Sequence, residues 1–407
     1  MPRAPKSYPD TLTPGSLPDV DFAFSPEQEE LRRTVRQFLD KTSPETEVRR
    51  LMVAERGYDA GAWHRMADEL GLLGLVIPEE FGGAGAGFTE LGLVVQEMGR
   101  ALFCGPFLST AVLAAAALLE TADDAAQHRW LPAIAAGELI AALAIPASLA
   151  LTRPPVWEVA ARPAAGQVPD EQGSAGQHPS AADGWVLDGT AGFVLDGHIA
   201  DLILVPAATG EGTSMFSVRG TAPGLARTRL PVFDATRKHT RLHFSATPAT
   251  LVGPAGGAAA ALARVFDLGC VALACEQVGV AERALDMARD YALLRTQFGR
   301  PIGSFQAVKH KLANVLLEVE AARSAAWYGL WAADARQDQL PAVASIAQAT
   351  CSAAAYQATA ENVQVHGGIG YTWEHPAHLY FRRATTSRMW LGDPAGHYER
   401  LLGQLGY

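Results

Sequence analysis

RTQFGRPIGSFQAVKH, residues 295–310, decides how the rest of the chain is read. It follows a long apolar helical pattern that starts near Gly257. Pro301 stops that helix, because its ring removes an amide donor and clashes with the preceding turn. The pattern resumes at Ser304, whose hydroxyl suits an N-cap, so the stretch reads as a helix hairpin turning over at Gly299-Arg300-Pro301. The turn gathers Arg295, Gln297, Phe298, Ile302 and Phe305: a forked cation, an amide and apolar walls. That mixture suits a phosphate-bearing cofactor with a flat ring system. On residue types alone, a solvated cap is the commoner reading.

Outward from this turn, the chain alternates in kind. A helical pattern begins at Ser25, with Pro26 in the first turn, Glu27, Glu29 and Glu30 at the positive end of the dipole, and Leu31, Val35, Phe38 and Leu39 on one face. Further helical patterns cover residues 60–70, 89–100, 108–121 and 125–136. After Gly137 the composition changes. Residues 141–151 are apolar, and residues 152–183, rich in Pro, Gly, Ala and Gln, predict an irregular, mobile insertion. GWVLDGTAGFVLDG, ADLILVPA, MFSVRG, LARTRLPVFD and TRLHFSA then read as short strands with turn residues between them, which indicates a small antiparallel barrel or sandwich. Helices return after Gly257 and persist to the end, broken at Gly299, at the GGIG turn and at Gly392-Asp393-Pro394. The expected division is a disordered lead over 1–19, a helical domain over 20–138, a β domain over 139–254 and a helical domain over 255–407.

Composition bounds the function. A 407-residue chain with 49% hydrophobic residues buries a sizeable core. A formal charge of −10 without a basic block argues against nucleic acid or an anionic membrane as the main partner. Residues 1–19 lack the apolar core of a signal peptide, and the longest apolar run, 110–119, is too short to span a bilayer. Cys104, Cys270, Cys275 and Cys351 show no metal spacing and read as reduced core thiols of a cytoplasmic protein. His366, His375 and His397 have no ligand spacing, so no metal site is expected. No nucleophile elbow supports hydrolase chemistry.

Four stretches carry a resemblance: FSPEQEELRRTVRQFL (24–39), IPEEFGGAGAGFTELGLVVQEMGRA (77–101), the 295–310 turn and QVHGGIGYTWEHPAHLYFRRA (364–384). In order and spacing they resemble the acyl-CoA dehydrogenase family, from about Val20 to the C-terminus. The resemblance implies an α+β fold with an N-terminal helical domain, a middle antiparallel β-barrel and a C-terminal four-helix bundle. It implies FAD, an acyl-CoA substrate and an electron-transfer flavoprotein as acceptor. It makes the 295–310 residues, Gln364, Gly367 and Gly368 contacts to a flavin held mainly by a neighbouring subunit, hence an oligomer, and it puts the glycine loop 82–87 at the acyl pocket. Without it, the GG pair is a helix C-cap with a glycine turn.

The resemblance also exposes what is missing. Desaturation needs a carboxylate to remove the α-proton and a hydride acceptor on the opposite face. Aligned without gaps from Gly367-Gly368, the family's Glu position falls on Leu391; the position other branches use on the preceding helix falls on Gly269. Neither takes a proton. The Thr-Glu-Pro-Gly and Trp-Ile-Thr-Asn segments that hold the flavin ring in the same subunit correspond to Leu143-Ala144-Ile145-Pro146-Ala147 and Phe193-Val194-Leu195-Asp196. The chain therefore resembles the base-lacking subunit of actinobacterial heteromeric acyl-CoA dehydrogenases acting on sterols and other bulky acyl-CoAs. The alternatives are a self-sufficient homodimer or tetramer using Asp393, otherwise a helix N-cap, as base, and a non-catalytic scaffold for acyl-CoA or a partner. Glu276, in an apolar helical run, is expected to pair with Arg283 or another helix charge.

Overall fold

The computed structural model describes residues 24–145, 158–164, 184–335 and 338–406. The expected lead over 1–19 and most of the expected insertion at 152–183 lie outside them. Within the insertion, however, Val159–Pro163 forms strand β2, antiparallel to β3 (Trp185–Leu195). Its Val-Ala-Ala-Arg-Pro sequence carries too little apolar patterning to announce a strand, and pairing with β3 supplies what propensity lacks.

The N-terminal region builds from local caps. At α1 (Pro26–Thr42), the Ser25 hydroxyl accepts from the Gln28 amide and the Gln28 side chain accepts from the Ser25 amide, while Val35, Phe38 and Leu39 enter the core. After α2 (Glu45–Val53), α3 (Ala60–Asp68) is capped by Asp59. Asp334, from a helix far along the chain, accepts from the amides of Phe88 and Thr89 and so caps α4 (Phe88–Arg100). Next comes a π-helical segment, Leu108–Ala114, which runs into α5 (Ala115–Glu120) and is followed by α6 (Asp124–Ala135).

The middle region closes on itself. β4 (Leu202–Thr209) pairs with β5 (Gly212–Arg219), β5 with β7 (His239–Val252), β7 with β3, β3 with β2, and β2 returns to β4 through one parallel bridge. β1 (Ala141–Leu143) lies parallel to β4, and β6 (Leu225–Arg229) extends β7. The ring is antiparallel apart from the contacts of β1 and β2 with β4. Thr110 of the π-segment exchanges hydrogen bonds with Ala141, docking the helical region onto β1.

The C-terminal region packs α7 (Ala258–Leu294), α8 (Gln306–Asp334), α9 (Leu340–His366), α10 (Ala377–Met389) and α11 (Pro394–Gln404). α7 is long and apolar enough to cross a bilayer, but most of that apolar window is buried in the bundle, as in a core helix. The four cysteines are free and buried, and burial pushes the Cys104 and Cys275 thiols up to about 12.

Where barrel meets bundle, charged side chains are buried together. Arg383 of α10 is 1% exposed; its Nε reaches Asp234 at 2.8 Å and its Nη1 reaches Glu276 of α7 at 3.2 Å. Arg237, from the same loop as Asp234, closes the cluster on Glu276 and donates to Ser387 at 3.1 Å. Glu276 thus pairs not with Arg283 but with another helix charge, Arg383 of α10, as the second alternative had it, and also with Arg237 from the barrel side. Nearby, Asp196 accepts from Ser109 at 2.7 Å, and burial pushes its carboxyl up to about 7.

Two outcomes follow. Arg383→Met leaves Asp234 and Glu276 short of a counter-charge and should cost about 3–5 kcal/mol in denaturant unfolding, with Arg383→Met/Asp234→Leu recovering part of the loss. Asp196 binds its proton more tightly folded than unfolded, so its contribution is fully present below the unfolded carboxyl value and is lost as pH rises to about 7. Urea midpoints at low and neutral pH should show that loss in the native chain and not in Asp196→Asn; identical pH dependence in both would refute the assignment.

Candidate functional site

The hairpin at the end of α7 forms as a ribbon. The Arg295 amide closes α7 on Tyr291 O, and β8 (Thr296–Gln297) pairs with β9 (Arg300–Pro301). Phe298 and Gly299 turn the ribbon with φ of 53° and 77°, a left-handed pair that suits a tight two-residue turn. Phe298 is 93% exposed, edge-on to Phe305 at 6.1 Å, and Arg300 stacks on Phe305 at 4.2 Å. The Ile302 amide donates to Arg295 O at 2.8 Å. Ser304 does not cap the next helix as expected: a short 3-10 turn, Ile302–Ser304, intervenes, α8 begins at Gln306, and Ser304 Oγ has no hydrogen-bond partner. The proline-fixed bend moves the cap from Ser304 to Phe305, one residue on.

The glycine turn lies at the same end of the bundle. α9 ends at His366, and Gly367 adopts φ 63°, ψ −138°, which a side chain strongly disfavours. Gly368 faces open space, and Gln364 is exposed one turn earlier. Tyr291, one turn before Arg295, stacks on His366 at 4.3 Å, so the ends carrying the Arg turn and the GG turn are locked together. A groove of about 450 Å³ runs past Gln364, walled by Tyr371, Trp373 and Phe233.

The two positions for a base are apolar and packed. Leu391 is fully buried, and a Cβ placed on Gly269 would lie 3.2 Å from its Cδ1 and 2.9 Å from Leu113 Cδ2. The two positions where the family resemblance puts a base, on α7 and before α11, therefore meet in space as one apolar contact. Asp393 is spent as the cap of α11, its Oδ1 accepting from the Gly396 amide at 2.8 Å. His397 sits at 2.9 Å from Leu391 O, and burial holds it down to about 4, neutral at ordinary pH. Leu143, Ala144 and Ile145 are buried, as are Val194 and Leu195; Pro146 and Ala147 lie outside the described residues.

Where the barrel meets the bundle, a cavity of about 20 Å³ is lined by Val95, Met98, Phe107, Leu195 and Asp196 together with the Arg237–Glu276–Arg383 cluster. That is room for about one water. The cluster is not legible as a site feature in the sequence, since its members lie far apart in the chain and only packing brings them together. The glycine loop 82–87 is not among the residues lining this cavity; it folds back on Gly74 and Ile77, where a Cβ on Gly83 would fall 2.0 Å from Ile77 O. Among the described residues no cluster of potential metal ligands occurs.

Comparison with known proteins agrees with this architecture. Residues 25–138 match the acyl-CoA dehydrogenase N-terminal domain, and residues 255–402 match the acyl-CoA dehydrogenase C-terminal domain. The chain is 35% identical over 377 residues to acyl-CoA dehydrogenase IpdE2 of Mycobacterium tuberculosis, covering 92% of this chain and 96% of that one. Among solved structures, a Tcur3481-Tcur3483 steroid ACAD variant superposes with a TM-score of 0.79 at 30% identity, covering 93% of this chain and 97% of that one. The ChsE4-ChsE5 complex from Mycobacterium tuberculosis gives 0.82 at 28%, covering 95% and 99%. With its two helical regions matched and its relatives aligned over almost their whole lengths, the chain belongs to the acyl-CoA dehydrogenase family, whose members are FAD-dependent oxidoreductases.

Proposed function

We propose that this chain is the non-catalytic subunit of a heteromeric FAD-dependent acyl-CoA dehydrogenase, completing the flavin site of a partner that desaturates a bulky acyl-CoA. The observation that carries the reading is the contact of Leu391 with Gly269: the two positions for a base meet as hydrocarbon. The cavity of about 20 Å³ at the Arg237–Glu276–Arg383 cluster is itself too small for an acyl chain, whose pocket would need a few hundred Å³. Relatives named as a steroid ACAD and as a ChsE4-ChsE5 complex support a heteromer and a sterol-like acyl group. An electron-transfer flavoprotein is the acceptor this reading expects.

The surface at the other end fits a flavin's nucleotide half. Gly368 leaves its backbone open, Arg295 and Gln297 are exposed beside Phe298, and all lie on rigid helix ends. Arg295 would neutralise pyrophosphate charge, Gln297 and Gln364 would hydrogen-bond, Phe298, Ile302 and Phe305 would wall the ring system, and Gly367-Gly368 would let the backbone approach. When bound, FAD supplies hydride acceptance from the β-carbon; the α-proton would go to a carboxylate of the partner.

A homo-oligomer using Asp393 would need that carboxylate released from Gly396, and a scaffold without flavin would leave Arg295 without a task. The ratio of FAD to chain, from visible absorbance, separates the three. The lone protein should carry little flavin, and co-expression with an adjacent dehydrogenase-like chain should restore it; near-stoichiometric flavin in the lone protein overturns the proposal. Arg295→Ala should strip FAD from the complex. Leu391→Glu in the lone chain should yield no substantial turnover, because a carboxylate alone opens no pocket.

A further inference from the structure

A second large concavity lies away from the flavin-facing end, where the helical N-terminal region meets the barrel. It measures about 1440 Å³ and draws its walls from the loop after α2, from α6, from the turn before β4, and from β5 and β6. Five arginines line it: Arg56, Arg129, Arg219, Arg227 and Arg229. Among the described residues only two carboxylates, Glu55 and Asp201, accompany them, and Asp201 is already committed, its Oδ2 accepting from the Ile140 amide at 3.0 Å. On a chain whose formal charge is −10, this is a local reversal of sign.

The arginines divide into two kinds. Arg227 is structural: half-buried, it donates to the carbonyls of Gly197, His198 and Gly220 and braces the floor. Arg56, Arg129, Arg219 and Arg229 are exposed and make no ion pair with another described residue. Arg129 stacks on Trp130 at 4.5 Å, which stiffens its fork. Between them the floor is apolar, with Leu139, Ile140 and Ile199, and Tyr58 stands half-buried at one edge. Arg, Trp and Tyr around an apolar centre is the composition of a protein-binding hot spot.

Size decides between occupants. Small-molecule pockets run to roughly 300–1,000 Å³ and converge their polar groups inward. This cleft is larger, and its unpaired guanidinium groups stand around the rim on four separate segments. We infer that the cleft is a docking site for an acidic, amphipathic segment of a partner protein, with apolar side chains on the Leu139–Ile199 floor and carboxylates on the arginine rim. The inference does not depend on the flavin-lending reading, since it uses none of that site's residues.

The test uses the full chain and a fluorescein-labelled peptide of about 15 residues alternating Glu with Leu, read by anisotropy. Arg129→Glu/Arg219→Glu/Arg229→Glu should weaken binding at least about tenfold, as should raising salt from about 50 to about 300 mM, while a Lys-Leu peptide should not bind. The milder Arg219→Gln/Arg229→Gln protein serves if the triple variant is unstable, and should still lose several-fold. No binding by the native chain, equal binding by the variants, or equal binding of the Lys-Leu peptide overturns the inference. Displacement of the peptide by ATP, with ATP binding lost in the same variants, would assign the cleft to a small phosphorylated ligand and overturn it too.

Discussion

Burying Arg383, Asp234, Glu276 and Arg237 in one small volume is the constraint on which this structure turns. Stripping water from a single charge costs several kcal/mol, so the cluster is tolerable only when every member has its partner. Those partners come from three places: the loop between β6 and β7, the middle of α7, and α10. The barrel can therefore dock on the bundle in one way only, because a shift of either body would leave a bare charge inside. The same closeness decides the interior. With the loop drawn against α7 and α10, the space between them shrinks to about one water, and Leu391 seats against Gly269.

The outer end of the bundle shows the opposite economy. There the chain keeps features that cost stability in isolation: Phe298 in a left-handed conformation and almost wholly exposed, and Leu293 and Leu294 exposed beside it. Each left-handed non-glycine residue costs on the order of 1 kcal/mol, and exposed rings gain nothing from the hydrophobic effect. Yet the segment is rigid, held by the Arg295–Ile302 hydrogen bond, the β8–β9 ribbon and the Tyr291–His366 stack. A rigid, strained, exposed surface is stable economy only if something else covers it. A closed interior beside an open, ordered exterior is what the division of labour proposed above requires.

Much of this was legible in the residues, and the limits are physical. Pro301 and Gly299 announce a reversal because their backbone preferences act locally, and the GG pair announces a bare backbone for the same reason. That positions 269 and 391 lack a base is legible from the residues themselves. That they touch is not, since 122 residues separate them and only packing brings them together. Glu276 illustrates the harder case. Helix periodicity offers Arg283 as a neighbour and leaves another helix charge open; Arg383 of α10 is that charge, but it and Arg237 lie 107 and 39 residues away, and long-range ion pairing leaves no periodic trace to name them. β2 escaped because an Ala-rich strand is defined by its neighbours, and Ser304 misled because a hydroxyl beside a proline suits a cap only if the helix starts there.

The backbone around Leu391 keeps its shape independently of the side chain it carries. Leu391 holds φ of 59° and Gly392 φ of 100°, a bend that a branched side chain does not favour. What holds the bend is outside the side chain: the Trp390 amide donates to Thr386 O, His397 meets Leu391 O, and Asp393 caps the following helix. The bend would be held whatever side chain stood at 391, so its shape carries no information about whether a proton is taken there. Chemistry at this position is a property of one side chain and of the space around it, and here both are hydrocarbon. The fold and the reaction are therefore separable in this chain, and under the reading proposed above the exposed glycine turn and arginine hairpin are the parts of its architecture offered to a flavin.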